Sequence, residues 1–496
     1  MMIYFPKKDS LIILSYLICF LFCLINDAYA EEFIRVKAVI GVNSNISAGT
    51  SSIEQLAKYA KKSNVGVLIL TDQALARGEY GIWPLQHLIR KVVEKDSILK
   101  FGAQKYLDLV DKINKEDPEV LIIPACEVAP FYWWQGSFFK GNLAVTDWSK
   151  QLIVIGLNNA NEYRDLPIIS NKYKRLNFGF SSFLQLWPAL IFFLGLYLFS
   201  RRKFIYIDDL GRDLSAPNFL ARRIGITAII ISIMFLINNF PFAISFKFNP
   251  YHGDQGILPY QRLIDYANFH NAMTFWMSVE SKVQDNFSGI NFFTLPHKED
   301  LFSSSGFTGF SVIYGNARTI HNPGAEWDQL LNDYCLGKRD RSLWGIGETG
   351  FKGDPDEIDY IHNVLFLKEF NKKGVLDALK KGRLYAIWGN KNEVRLVDFS
   401  IKDVQTGQVA YMGDELITKT SVKIYIKVYQ SANNQGLVNV RLIKNGEVIK
   451  SFETKEGKFN YEIFDEITND RNKNFYRLLI TGPSEIVSNP IFVKRR

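Results

Sequence analysis

Two uncharged apolar runs in mid-chain, joined by a short arginine-rich loop, restrict the folds open to this sequence more than any other feature. They extend from Phe183 to Phe199 and from Ile224 to Ile244. Each is about the length of a helix that crosses a bilayer. Between them lie Arg201, Arg202, Lys203, Arg212, Arg222 and Arg223. A short loop with this excess of positive charge tends to stay cytoplasmic. The pattern predicts a transmembrane hairpin at 181–245, with the polar segments before and after it on the same, outer side, periplasmic or extracellular.

The N-terminus agrees with export. Lys7 and Lys8 precede an apolar stretch from Leu11 to Ile25, and Ala28-Tyr29-Ala30 has the form of a cleavage site. This is the tripartite pattern of a signal peptide over 1–30, with an uncleaved anchor helix as the alternative. Only Cys126 and Cys335 follow it, too few for a disulfide framework. The net charge of +8 lies partly in the loop and in Lys494, Arg495 and Arg496. No basic stripe, zinc-finger spacing or RNP pattern accompanies it, so nucleic acid is not an expected partner.

The rest of the 496-residue chain reads as two kinds of structure. Strand-like runs at 36–42, 65–70 and 120–123 alternate with helical stretches at 51–62, 85–93 and 105–113. Beyond the hairpin, strands at 273–277, 310–314, 343–346 and 364–367 alternate with helices at 260–269, 327–334 and 374–381. This alternation predicts parallel pairing and one α/β domain built from 31–180 and 246–392. From 393 to 496 the period changes to two. Val422–Val428 alternates cleanly, and Asn445-Gly446 between apolar runs is a strong hairpin signal. An all-β module, a sandwich, is expected there.

The α/β part resembles the PHP (polymerase and histidinol phosphatase) family. The family's opening strand ends in H-x-H; here that stretch reads Gly41-Val42-Asn43. Its second strand ends in Thr-Asp-His; here Thr71-Asp72-Gln73 stands. Pro124-Ala125-Cys126-Glu127 is similar to the segment that carries the family's glutamate. Trp276-Met277-Ser278-Val279-Glu280 is similar to W-x-H-P-E, and Trp344–Glu348 to the strand before a late D-x-H. Ala378–Ala386 is similar to the closing helix and strand, and Ser488–Val493 to the end of the β module often attached. The resemblance implies a distorted, TIM-related β/α barrel, a cluster of two or three divalent metal ions (Mn, Fe or Zn) and phosphoester hydrolysis.

Most of the metal ligands of that family are replaced. A multinuclear hydrolytic site needs converging imidazoles and carboxylates. Gly41, Asn43, Gln73 and Ser278 stand where imidazoles are expected, and neither register restores the late D-x-H. Asp72 and Glu127 survive as candidate metal ligands, with Glu280 and Glu348 as nearby carboxylates. Asn43, Gln73 and Ser278 are the candidate ligand-binding residues. Asp72 has a structural alternative as a cap for the turn after its strand, and Glu127 as half of an ion pair. His252, His297 and His321 lie in loops and are expected on the surface, with a late metal ligand as the alternative for His297 after Pro296. Phe131-Tyr132-Trp133-Trp134, with Phe138 and Phe139, is a stacking platform, an interfacial belt or core. Three functions compete: a non-catalytic ligand- or partner-binding relic at the cell envelope, a divergent phosphoesterase using Asp72 and Glu127, and a structural envelope protein acting through its β module.

Overall fold

The computed structural model describes residues 33–176, 178–207, 213–242, 248–287, 289–315, 318–389, 394–431, 436–455, 457–467 and 471–496. The signal segment 1–30 lies outside the described residues, as does the second apolar run beyond 242.

Nine strands of the large sheet belong to the first unit: β1 (Ile34–Val42), β2 (Val67–Leu70), β3 (Leu121–Val128), β4 (Leu152–Ile155), β5 (Met273–Trp276), β6 (Gly309–Tyr314), β7 (Trp344–Glu348), β8 (Ile361–Leu367) and β9 (Leu384–Trp388). The longer helices are α1 (Ile53–Lys62), α2 (Ala103–Glu116), α3 (Pro188–Ser200), α4 (Phe219–Asn239), α5 (Leu258–Phe269), α6 (Glu326–Cys335) and α7 (Lys372–Lys381). Ser52 caps α1 through a capping box with Gln55, which satisfies two orphan amides at once.

Seven strands are neighbours in the order β7-β6-β5-β4-β3-β2-β1. The run then returns to its start. The Thr349 N–H donates to Ile40 O (2.8 Å), Phe351 N–H to Gly41 O (2.9 Å) and Asn43 N–H to Phe351 O (3.1 Å). These bonds close a ring at the C-terminal end of β1. The other end of β1 turns away and pairs antiparallel with β8, Ile34 opposite Leu367. The expectation of parallel pairing throughout is corrected: β4 is antiparallel to both its neighbours. The chain between β3 and β4 carries short strands rather than a crossover helix, so β4 returns antiparallel. β4 and β5 are adjacent although the apolar hairpin separates them in sequence.

Period two sorts the side chains. Ala38, Ile40, Ile69, Ile123, Ile155 and Phe275 fill the inside of the ring. Val39, Leu68, Leu70, Ile122 and Val154 face outward into the core shared with α1 and α2. Val375, Ala378 and Leu379 of α7 join the inner cluster.

The helix expected at 85–93 is instead a hairpin, Arg77–Gly81 against Arg90–Glu94. Val92 and Val93 favour extended backbone, and the Arg77–Glu94 ion pair (3.0 Å) lies across the ladder.

The C-terminal part holds β10 (Val394–Asp403), β11 (Val409–Tyr411), β12 (Glu415–Thr418), β13 (Ser421–Gln430), β14 (Val438–Lys444), β15 (Glu447–Thr454), β16 (Gly457–Glu466), β17 (Lys473–Thr481), β18 (Glu485–Ser488) and β19 (Ile491–Arg495). One sheet runs β11-β10-β13-β16; the facing one contains β15, β14, β17, β18, β19 and β12. Ile424, Ile426 and Val428 of the first meet Val440, Leu442 and Leu478 of the second in one core. Asn445 (φ 52°) and Gly446 (φ 94°) form the β14–β15 turn, both in the left-handed region that such a turn demands. β18 pairs with β9, so the two units share a sheet. Arg477 and Asp328, 0 % and 1 % exposed, bind bidentately across their junction at 2.6 and 2.7 Å.

α3 and α4 pack on each other. Gly195 and Gly225 face across the contact, where a Cβ on Gly225 would lie 2.6 Å from Gly195 O. Their spans, Ser182–Ser200 and Phe219–Asn239, are long and apolar enough to cross a membrane, and only 17 % and 11 % of their apolar windows is buried. The basic loop between them is a β-ladder, Arg202–Ile207 against Asp213–Pro217.

Candidate functional site

The ring ends, at its closed rim, in a group of inward polar residues. β1 carries a bulge there, with Gly41 at φ +91°. A Cβ on Gly41 would come within 2.8 Å of Glu348 Cγ. The space a side chain at position 41 would need is thus filled by the stem of Glu348. One bulge later Asn43, buried, donates from Nδ2 to Thr71 O (2.6 Å) and to Glu127 Oε1 (3.1 Å). The Thr71 hydroxyl donates to the same oxygen at 2.9 Å. Across the ring the Ser311 hydroxyl donates to Glu348 Oε2 at 2.5 Å, and the Ser278 backbone N–H also serves Glu348.

Both carboxyls are buried, at 7 % and 1 % exposure for Glu127 and Glu348. Burial pushes Glu127 up to about 7, against the pull of Thr71 and Asn43. Burial, with the neighbouring Glu127, pushes Glu348 up to about 8 despite the bond from Ser311. The Tyr314 phenol feels both: Glu348 first, then burial, raise it to about 12. The rim is therefore a pair of mutually repelling carboxyls held by uncharged donors.

Asp72 points elsewhere. Its carboxylate accepts from the Ser44 N–H and hydroxyl, both at 2.8 Å, and from the Ser47 hydroxyl at 2.6 Å. It fastens the loop after β1, and not the helix or turn after its own strand. Burial raises its pKa while these three bonds oppose the shift. Gln73 meets Glu127 only through its backbone, and its side chain lines a cavity of ≈ 30 Å³ with Tyr132 and Trp148. Ser278 sits at φ +36° just past β5. Glu280 accepts from Thr319 N–H and from the Thr319 hydroxyl, away from the rim.

Two histidines expected on the surface are buried. His321, 0 % exposed, links Val312 O (2.8 Å) to Glu485 (2.6 Å) at the junction of the two units. His297 donates through Nδ1 to Leu295 O (3.1 Å), and burial lowers its pKa to about 4. The Pro296-His297 turn packs on Trp276, a tertiary contact that loop composition does not reveal. His252 is exposed. The aromatic run divides: Phe131 and Tyr132 are core, while Phe138 and Phe139 are exposed.

No protein-family model and no curated protein matches the chain. Solved structures with some likeness include a two-domain protein of Bacteroides vulgatus containing a predicted PHP-like metal-dependent phosphoesterase. It is 12 % identical over 90 % of each chain, with a TM-score of 0.35. Another is a candidate metal-dependent phosphoesterase of Bifidobacterium adolescentis, 11 % identical over 64 % of this chain and 88 % of that one, TM-score 0.29. At such scores the residues of the rim, and not the likeness, carry the functional reading.

Those residues do not fit a metal cluster. Among the described residues no three His, Cys, Asp or Glu side chains gather as a metal-holding group. The side-chain partners of Glu127 and Glu348 are uncharged donors, Asn43 and Thr71 on one and Ser311 on the other, and among the described residues no imidazole gathers with them. Thr71 and Ser311, which hold the carboxyls, were not singled out by sequence. The signal for Ser311 is its parity with Gly309 on β6, and for Thr71 its place two residues after Ile69.

Proposed function

We propose that this chain is a membrane-anchored, non-hydrolytic binding protein built on a PHP-like barrel. The observation that carries the reading is the neutral company of the rim carboxyls, with no imidazole gathered beside them among the described residues. Asn43 and Thr71 bind Glu127, Ser311 binds Glu348, and the Glu348 stem fills the space an imidazole at position 41 would need. Asp72 is fully engaged by Ser44 and Ser47. A hydrolytic centre of the family type requires imidazoles converging with carboxylates at these places.

Anchoring rests on α3 and α4. Leu190, Phe193, Leu194 and Tyr197 on α3, with Ile224, Ile230 and Ile237 on α4, are exposed side chains that nothing in the described chain covers. An apolar surface of this extent needs lipid or a partner around it. Exposed Phe178, Phe180, Phe183, Trp187 and Phe240 ring the end nearest the barrel, an aromatic belt at the depth where a headgroup layer would lie. Arg201, Arg202, Lys203, Arg222 and Arg223 stand at the other end, which by their charge is the cytoplasmic one.

The test is hydrolysis by full-length protein in nanodiscs, assayed on a model phosphodiester with Mn, Fe or Zn added. No turnover beyond that of a Glu127→Gln/Glu348→Gln variant is expected. Metal-dependent turnover that the double variant abolishes would establish the phosphoesterase reading instead.

A further inference from the structure

Between the barrel-side ends of α3 and α4 and the soluble domain lies a cavity of ≈ 880 Å³. Its volume is that of a site for a whole small amphiphile. Its walls differ in kind. The helix side offers Leu184, Trp187, Ile237 and Phe240; the domain side offers Arg77, Arg90, Lys172, Lys174 and Arg175. One carboxylate, Glu79, lines it with them.

The charge is partly balanced from behind. Arg77 bonds Glu79 (3.2 Å) and Glu94 (3.0 Å), Arg90 bonds Glu79 (2.8 Å), Lys172 bonds Glu94 (2.6 Å), and Arg175 bonds Asp165 (2.7 Å from Nε). Five cations thus face three carboxylates. Two donors are left over. Lys174 makes no ion pair among the described residues; burial and Arg262 lower its pKa against the pull of Asp165, so its charge is held at a net cost that an anion would relieve. Arg77, whose side chain is 7 % exposed, keeps its Nε without a hydrogen-bond partner. The helix end is fixed to the domain where the cavity opens: Asn238 Oδ1 accepts from the His87 (2.9 Å) and Leu88 (3.2 Å) amides.

We propose that this cavity binds an anionic, phosphate-bearing amphiphile drawn from the membrane. The phosphate meets Lys174 and Arg77, and the acyl chains leave between Leu184, Trp187 and Phe240 toward the exposed faces of α3 and α4. A cationic wall, buried at Arg77, half-buried at Lys174 and open at its other members, beside an apolar one selects a molecule that carries both characters. The proposal rests on membrane anchoring and is independent of whether the barrel rim is catalytic.

Three soluble probes are titrated into full-length protein in detergent by calorimetry: dihexanoyl phosphatidic acid, dihexanoyl phosphatidylcholine and inorganic phosphate. The anionic lipid should bind saturably, with the zwitterion and free phosphate each about tenfold weaker or more. Lys174→Gln, at a partly exposed side chain without partners, should keep the melting temperature and lose about fivefold in affinity for the anionic lipid. Arg90→Gln at the same wall gives a second reading. Equal binding of lipid and free phosphate overturns the membrane source. Equal binding of the two lipids, no binding at all, or unchanged affinity in both variants overturns the site. Alkaline extraction of membranes tests anchoring separately: release of the chain from the bilayer sinks that reading whatever the titrations give.

Discussion

At the scale of single residues, Glu348 occupies the volume that any side chain at position 41 would need. Gly41→Ala places a methyl against Glu348 Cγ at a φ of +91°. It should cost about 1–3 kcal/mol in chemical denaturation. The raised carboxyls give a second prediction. Glu127 and Glu348 titrate near 7 and 8 in the folded chain and near 4.5 unfolded. The folded state therefore holds more protons between these values, and stability falls as pH rises from about 5 to 8, by up to about 1.4 kcal/mol per pH unit and group. A melting series over that range should show the slope in the parent chain and a flatter one in Glu127→Gln. The Gln oxygen can still accept from Asn43 and Thr71. A parent chain whose stability rises over the same interval would contradict the assignment. Asp72→Ala strands the Ser44 amide and should lower stability by about 1–3 kcal/mol. The sequence makes the polar, imidazole-free character of Asn43 and Gln73 legible. It does not reveal that Asp72 turns to the loop serines, because the parity of the strand end depends on backbone bonds formed across the sheet.

At the scale of elements, most strands and helices follow from periodicity because apolar side chains on both faces of the ring are buried. The hairpin at 77–94 does not. Its strands are short and largely charged, and the Arg77–Glu94 pair across it is a long-range choice that a helical window cannot see. The antiparallel β4 escapes for a similar reason, since a strand's direction is set by its connection. The apolar helices are legible from composition alone, but their contact is not: Gly195 and Gly225 matter because the backbones meet there. Gly225→Leu should separate α3 from α4 and lower the melting temperature in detergent by several degrees, about 1–3 kcal/mol of overpacking. An unchanged melting curve would mean the two helices do not pack at that point.

At the scale of the molecule, the barrel-like ring and the β-sandwich share a sheet through β9 and β18, and the buried Arg477–Asp328 pair crosses their junction. Arg477→Met leaves a buried Asp328 with only the Gly324 N–H (2.8 Å) as donor, which should cost about 3–5 kcal/mol and turn one unfolding transition into two. A variant that melts as the parent does would show that the units are joined elsewhere. The central claim concerns the rim, where uncharged donors stand in place of a cation cluster. Elemental analysis of the full-length protein, purified without chelator, tests it most directly. The account predicts well under one Mn, Fe or Zn per chain, unchanged in a Glu127→Gln/Glu348→Gln variant. One or more bound ions per chain, lost in that variant, would contradict it.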